Sequence, residues 1–577
     1  MRQFLPLLLF LTILLGGCAL IVQNNFTSEN DEYDEIPDPS YEASLPIGMN
    51  LHSLNYYTPA PIFTDAMTTA GSMFTFYTDE SGSAWNTGMI DEVERDSTGY
   101  PTYVPQETSD GHESLIRFLI NNYYEGRYRV FWEGDGTLEA GGNRLEEDEL
   151  GYYIDLLGTG GNTWLNITYS NVDDPLRNIR IIPEDYEMYS YDDYDPEGFP
   201  TFLASYLEGL EEFHALRFMD WVCTNGSDQV DWGDGSDNNA TPDDYTDDRI
   251  TTDYFSQGTY QGISFDYAIE LCNELQVDAW VCIPHMASDD YITNLAELWR
   301  DNLDDGLKIY LEFSNEMWNW NFVQAQWVLY NGSYSDYPEP VDDYVVTQLE
   351  ALGEAGEGHP EKDAFMMARA FYLWDEVFGS EMEERVVKVA TGQHAWYDNS
   401  NRILSYLFDE SEYYGAIGCD ALSVGGYFGF SYDNHVEWEE LGDDLSFQQI
   451  YYDTYQYFLE STIEWTEESA AYATEYGIDY YVYEGGQHMQ PYNQSEWDYN
   501  QQLWDFQIDE RMYELYMHNF DLHVQDNVNC GLFMAFSYIG TRESKYGSWG
   551  HLETLDQIGG TYSDAPKYQA LLDVNSD

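Results

Sequence analysis

The chain has 577 residues, 43% hydrophobic and 17% aromatic, enough apolar side chain for a large folded core, which excludes a disordered polymer. Its charge is extreme: 107 Asp and Glu against 21 Lys and Arg leave a formal −86, with acidic residues recurring along the chain among the aromatics. No basic patch exists to meet phosphates, which excludes nucleic acid as a partner. Such self-repulsion is tolerable where concentrated salt cuts the Debye length to about 3 Å, so a halophilic or strongly saline source is expected.

In chain order, residues 1–18 read as an export signal: Arg2, an apolar run from Leu5 to Leu15, then Leu15-Gly16-Gly17-Cys18. That tetrapeptide resembles a bacterial lipobox, in which the cysteine carries a lipid; the alternative is an ordinary secretory signal with a chance cysteine. No later apolar stretch approaches the ~20 residues a spanning helix needs, so contact with a membrane is expected only through lipid on Cys18. Residues 19–45 form an acidic linker containing Pro37 and Pro39. Residues 46–98 begin the fold with the strand PIGMNL, and 99–185 read as a β-sandwich-like insertion. Its short runs YRVFWEGDGTL, YYIDLLG, TWLNITYS and LRNIRIIP are separated by Gly, Asn and Asp turns.

From 186 to 577 helix and strand alternate. The predicted strands are ALRFMDWV, DAWVCIPH, KIYLEFSNE, VVKVATGQHAW, ALSVGGYFG, DYYVYEGG and CGLFMAFSY, with helical runs such as FDYAIELCNELQ and AFMMARAFYLWDEVFG between them. With PIGMNL these make the eight strands of a (β/α)8 barrel, the expected fold. An open doubly wound sheet is the alternative, and no Gly-rich phosphate turn supports it. The remaining cysteines, Cys223, Cys272, Cys282, Cys419 and Cys530, show no CxxC spacing and read as buried thiols. A monomer without cofactor or metal is expected.

In such a barrel the functional groups gather at the C-terminal strand ends. Those ends carry His52, then Arg217 and Asp220, His285, Asn315 with Glu316, His394 with Trp396, Tyr427, Glu484 with Gln487 and His488, and Phe536 with Tyr538. Two strands that stop at a glutamate stand out, because a carboxylate at a buried strand's end is costly unless it works. Such a pair is what attack on a sugar acetal requires.

The Asn315-Glu316 ending of the fourth strand and Glu484 on the seventh resemble clan A of the glycoside hydrolases, retaining enzymes on a (β/α)8 barrel. The stretches LRFMDW, PHMASDDY, EFSNEMWNW, YEGGQH and KYGSWG are also similar to bacterial exported proteins labelled cellulose-binding. The resemblance implies Glu316 as general acid/base, Glu484 as nucleophile, Asn315 on the sugar 2-hydroxyl, Arg217 and Tyr427 on Glu484, and His285 lining the subsite. Clan members often floor the sugar site with a tryptophan ending the eighth strand; here Phe536 and Tyr538 stand there, and Trp549 of KYGSWG is the substitute. Trp318, Trp320 and Trp396 flank strand ends as candidate stacking surfaces, with His394, Gln487 and His488 as further substrate contacts. Retention implies carboxyl groups about 5–5.5 Å apart, and ~9 Å would mean inversion.

Two other readings compete. A carbohydrate-binding protein on a retired barrel would keep the aromatics, and a metal hydrolase would use His52, His285, His394 and His488, which lack closely spaced HxH pairs. Asp231 to Arg249 could pass for a calcium loop but lacks the EF-hand's final glutamate, so a solvated loop is expected.

Overall fold

A computed structural model describes residues 36–575 apart from 80–81, 85–89, 91–92, 105–113, 142–144, 161, 185–198, 233–248, 259–260, 333–341, 356–357 and 559–563. The leader with Cys18, the first part of the acidic linker and most of Asp231 to Arg249 lie outside the described residues.

Eight parallel strands close into a barrel in sequence order: β1 (Ile47–Asn50), β2 (Ala215–Arg217), β3 (Asp278–Ile283), β4 (Ile309–Phe313), β5 (Val386–Thr391), β6 (Ala421–Phe428), β7 (Asp479–Gln487) and β8 (Cys530–Ala535). The barrel closes where Ile47, Gly48 and Met49 of β1 pair with Phe533, Met534 and Ala535 of β8. Its interior is packed by Trp280, Cys282, Val389, Tyr481, Tyr483, Leu532 and Met534. Gly48 is required there, since a β-carbon would meet the Met534 sulfur at 2.2 Å.

The outer helices have local causes. Asp289–Asn302 starts on Ser288, whose hydroxyl accepts from the Tyr291 amide, with Asp289 and Asp290 in the positive first turn. His359–Phe378 carries proline in its first turn, and Ile463–Tyr476 ends on left-handed Gly477. Before β7, Phe447–Tyr457 and Ile463–Tyr476 are joined through a π turn at Phe458–Thr462. FLASYLEGLEEF is helical only over Ala204–Glu208, because Gly209 ends the helix there.

Two antiparallel sheets form the insertion. Arg177–Pro183, Glu125–Glu133, Gly151–Leu157 and Glu146–Asp148 make one; Gly82–Ala84, Phe74–Asp79, Ser114–Asn121, Asn162–Ser170 and Gly136–Gly141 make the other. Ile116, Phe118, Ile120, Leu165 and Ile167 face Val130, Ile154, Leu156, Ile179 and Ile181 across a common core. The second sheet draws in strands from before residue 99 and the further run SLIRFLIN, while YRVFWEGDGTL splits between the two sheets at Gly134 (φ +82). Among the described residues no helix is long and apolar enough to cross a membrane. Cys272, Cys282, Cys419 and Cys530 are buried free thiols and Cys223 is half-buried.

Candidate active site

Arg217, the last residue of β2, organises the mouth of the barrel from a fully buried position. Its Nε donates to Glu312 Oε2 at 2.9 Å, and one Nη donates to Glu312 Oε1 at 3.0 Å and Asn315 Oδ1 at 2.8 Å. The other Nη donates to Asn50 Oδ1 at 2.9 Å and reaches Glu484 Oε2 at 3.4 Å. Burial works against this cation, but the Glu312 charge, with Glu484 behind it, outweighs burial and holds the guanidinium firmly protonated. Glu312 also accepts from Trp280 Nε1 at 2.7 Å and from the Cys282 thiol at 3.3 Å.

Glu484 sits where β7 is irregular against both neighbours: register shifts fall between Val424 and Gly425 on one side and between Val482 and Gly485 on the other. Bulges of this kind re-aim a side chain. Gly486 follows at φ +127, a conformation open mainly to glycine. Glu316 leaves β4 through a tight turn in which Ser314 (φ +58) and Glu316 (φ +43) are both left-handed, a cost concentrated at working sites.

The two carboxyl groups meet within hydrogen-bonding reach of one another. Burial raises both above the ordinary carboxylate value; for Glu484 the Glu316 charge raises it further, and Arg217 offsets only part. Two carboxyls in such contact resist ionising together, so the pair holds its first proton more tightly than a free carboxyl does. Arg217, expected on Glu484, does reach it, but at 3.4 Å, with its shorter hydrogen bonds committed to Glu312. Asn319 Nδ2 donates to Glu316 Oε2 at 2.9 Å.

A cavity of about 260 Å³ opens at Glu316, with Trp318, His394, Tyr427, Tyr483 and His488 among its other walls; the buried Glu484 is not part of its lining. Trp318 Nε1 donates to the Tyr483 hydroxyl at 3.2 Å, fixing an apolar wall beside Glu316. Tyr427 and His488 pack at 5.4 Å, and Trp549 closes on them at 5.9 and 5.2 Å while resting on Phe536 at 5.6 Å. Trp549 therefore packs beside Phe536, just past the end of the eighth strand. His394 is held by Thr466 Oγ1 at 2.9 Å.

Other expectations need correction. Tyr427 lies beside both carboxyls but makes no hydrogen bond to Glu484 among the described residues; Arg217 and Glu316 engage that carboxyl instead. His285 is wholly buried against Trp327, 5.5 Å between rings, and burial pushes it down to about 3. His52 is buried between Tyr206 and Tyr538. Asp220 is half-buried, raised by burial to about 6, and outside the cavity lining. Asn315 is 2% exposed and its amide is spent on Arg217 and on Asn225 Oδ1 at 3.0 Å, so it braces the turn. Gln487 is buried, with Nε2 donating to Ser548 O at 2.9 Å. Trp320 is 54% exposed and bonded through Nε1 to His359, while Trp396 caps the helix Tyr397–Phe408; neither lines the cavity.

Glu312, Asn50 and Tyr483 were missed. A charged residue inside an apolar strand (IYLEF) and an asparagine near the end of PIGMNL were the available signals.

No known family's sequence profile matches the chain, and no curated protein does. Among solved structures it is similar to a GH51 arabinofuranosidase from Xanthomonas axonopodis pv. citri, with 13% identity, TM-score 0.32, and coverage of 61% of this chain and 63% of that one. It is similar to a modular endo-beta-1,4-mannanase from Cellulomonas fimi, with 12% identity, TM-score 0.28, and coverage of 56% and 61%. A GH1 beta-glucosidase from Humicola insolens gives 12% identity, TM-score 0.34, and coverage of 64% and 87%. The chain thus spans about three fifths of the first two, and the chemistry of its site rests on the geometry described above.

Proposed function

We propose that the chain is a glycoside hydrolase acting with retention on an oligosaccharide or polysaccharide, with Glu484 as nucleophile and Glu316 as general acid/base. The observation that carries this reading is the meeting of the two carboxyl groups at the C-terminal ends of β4 and β7, where Glu316 lines an aromatic-walled cavity and Glu484 lies buried behind it. In the resting site they share a proton. A sugar entering between them separates the charges: the proton stays on Glu316, which lies beside Trp318, and the anion stays on Glu484, which faces Arg217. The bond from Glu484 to the anomeric carbon forms as the glycosidic bond breaks, and the leaving oxygen takes the Glu316 proton. Water, deprotonated by Glu316, then displaces Glu484. The close approach of the carboxyls favours this route over inversion, which needs room for a water between base and sugar.

The test is a pair of substitutions assayed on aryl glycosides. Glu484→Gln should abolish turnover. Glu316→Ala should cost about 10²–10⁴-fold on poor leaving groups and far less on activated ones. Equal losses on both substrates, or a product of inverted anomeric configuration by NMR, would overturn the assignment.

A further inference from the structure

The catalytic cavity does not end at His488. His488 and Phe430 also line a second cavity of about 480 Å³, whose other walls include Tyr432, Gln490, Tyr492, Asn493 and Gln494. We propose that this second chamber is a further sugar subsite and that the substrate is a chain of neutral sugars crossing from one cavity into the other; this rests on the glycosidase reading above.

Three observations carry it. First, the lining is uncharged where the protein is not. The whole chain holds 107 acidic residues in 577, yet among the described residues Glu316 is the only acidic one lining either cavity, and no described Lys or Arg lines either. Amide, hydroxyl and aromatic groups remain, which bind hydroxyls and C–H faces and offer no partner to a carboxylate or sulfate. The surrounding acidic surface repels such groups as well.

Second, the aromatic wall is exposed and rigid. Tyr432 is 59% and Tyr492 37% exposed, with rings 5.2 Å apart. Tyr492 stacks on His435 at 4.5 Å, and its backbone is tied to the Tyr499 hydroxyl at 3.2 Å and to Trp497 Nε1 at 2.7 Å. An open aromatic face backed by a second ring is a stacking platform already ordered before a ligand arrives.

Third, the next two residues are strained. Asn493 and Gln494 both adopt φ +52, a conformation that costs non-glycine residues and concentrates at ligand sites. Among the described residues neither side-chain amide is engaged within the protein. Gln490 adds a buried Oε1 with no hydrogen-bond partner.

The experiment measures kcat/KM on a ladder of neutral oligosaccharides and on an aryl monoglycoside, with wild type and Tyr492→Ala. Efficiency should climb with chain length, and the substitution should cost the longer oligosaccharides about tenfold more than the aryl monoglycoside. A uronic-acid chain of the same linkage should be poorer by on the order of 100-fold at one ionic strength. Hydrolysis of the aryl glycoside with no chain-length effect, or an equal loss on all substrates in Tyr492→Ala, overturns the subsite while leaving the glycosidase standing. If no substrate turns over, calorimetric binding of the oligosaccharide ladder to Glu484→Gln decides it: affinity that rises with length and falls in the double variant with Tyr492→Ala supports the subsite, and length-independent binding overturns it.

Discussion

At the scale of single residues, the energetics of the site turn on one cation facing three carboxyl groups, Glu312, Glu484 and Glu316. Arg217 holds Glu312 through two hydrogen bonds, at 2.9 and 3.0 Å, and Glu484 through one long contact at 3.4 Å. Glu484 is consequently the under-neutralised member, and its carboxyl lies well above the ordinary range through burial and the neighbouring Glu316. The folded state then binds protons that the unfolded chain releases once pH passes the ordinary carboxylate value. Stability contributed by the pair is present below that value and is lost as pH rises towards the folded one. Glu484→Gln removes the repulsion at nearly constant shape, so the variant should be more thermally stable than wild type at neutral pH, with the gain shrinking as pH falls to about 4. Melting temperatures across that range check this, and a gain that grows on acidification would contradict the shared-proton assignment.

At the scale of elements, the loop after β8 is a separately anchored part. The Ser548 carbonyl accepts from Gln487 Nε2 at 2.9 Å and from Lys567 Nζ at 2.7 Å, which pins the segment carrying Trp549 over the end of β7. Lys567 is buried on the helix Pro566–Val574, with Gln507 Oε1 at 3.3 Å as its other partner. Burial pushes its amine down to about 7, with Glu553 opposing and Arg542 assisting. Its folded value lies below the unfolded one, so between about pH 7 and pH 10 the folded state carries fewer protons and stability rises with pH. Wild type should therefore gain stability relative to Lys567→Met across that window. The variant should also raise KM by freeing Trp549, and parallel pH profiles of the two proteins would refute the buried amine's role.

At the scale of the molecule, a formal −86 on one chain opposes compaction everywhere at once. The described cations are largely consumed by local pairs, as where Arg369 bridges Asp289 at 2.8 Å and Asp342 at 3.1 Å, and where Arg542 joins Asp505 at 2.9 Å to Glu553 at 3.1 Å. Those pairs cannot offset the general repulsion, and only mobile counter-ions can. The melting temperature should rise steeply from dilute buffer to about 1 M salt, where the Debye length is about 3 Å, and level off beyond. A flat response would remove the basis for a saline habitat.

How much of this was legible beforehand depends on the range of the interaction involved. By itself the sequence determined the barrel, because each strand is a short apolar run bounded by turn residues and the longer helices are 3.6-period patterns, several of them starting on a Ser or Asp cap. It also pointed to Glu316 and Glu484, since a carboxylate closing an apolar strand is costly wherever the strand ends up. Only the tertiary structure decided what those carboxyls touch. Glu312 lies inside an apolar strand, and its partnership with Arg217 depends on β2, β3 and β4 following one another around a closed ring. Strand-end position suggested that His285 and Asn315 face substrate, but left-handed turns at Ser314 and Glu316 rotate the chain so that Asn315 braces Arg217 from below. The second cavity was equally invisible, because it is assembled from residues after β6 and residues after β7. Local pattern reports burial and period; partners come from closure of the barrel, which joins residues far apart in sequence.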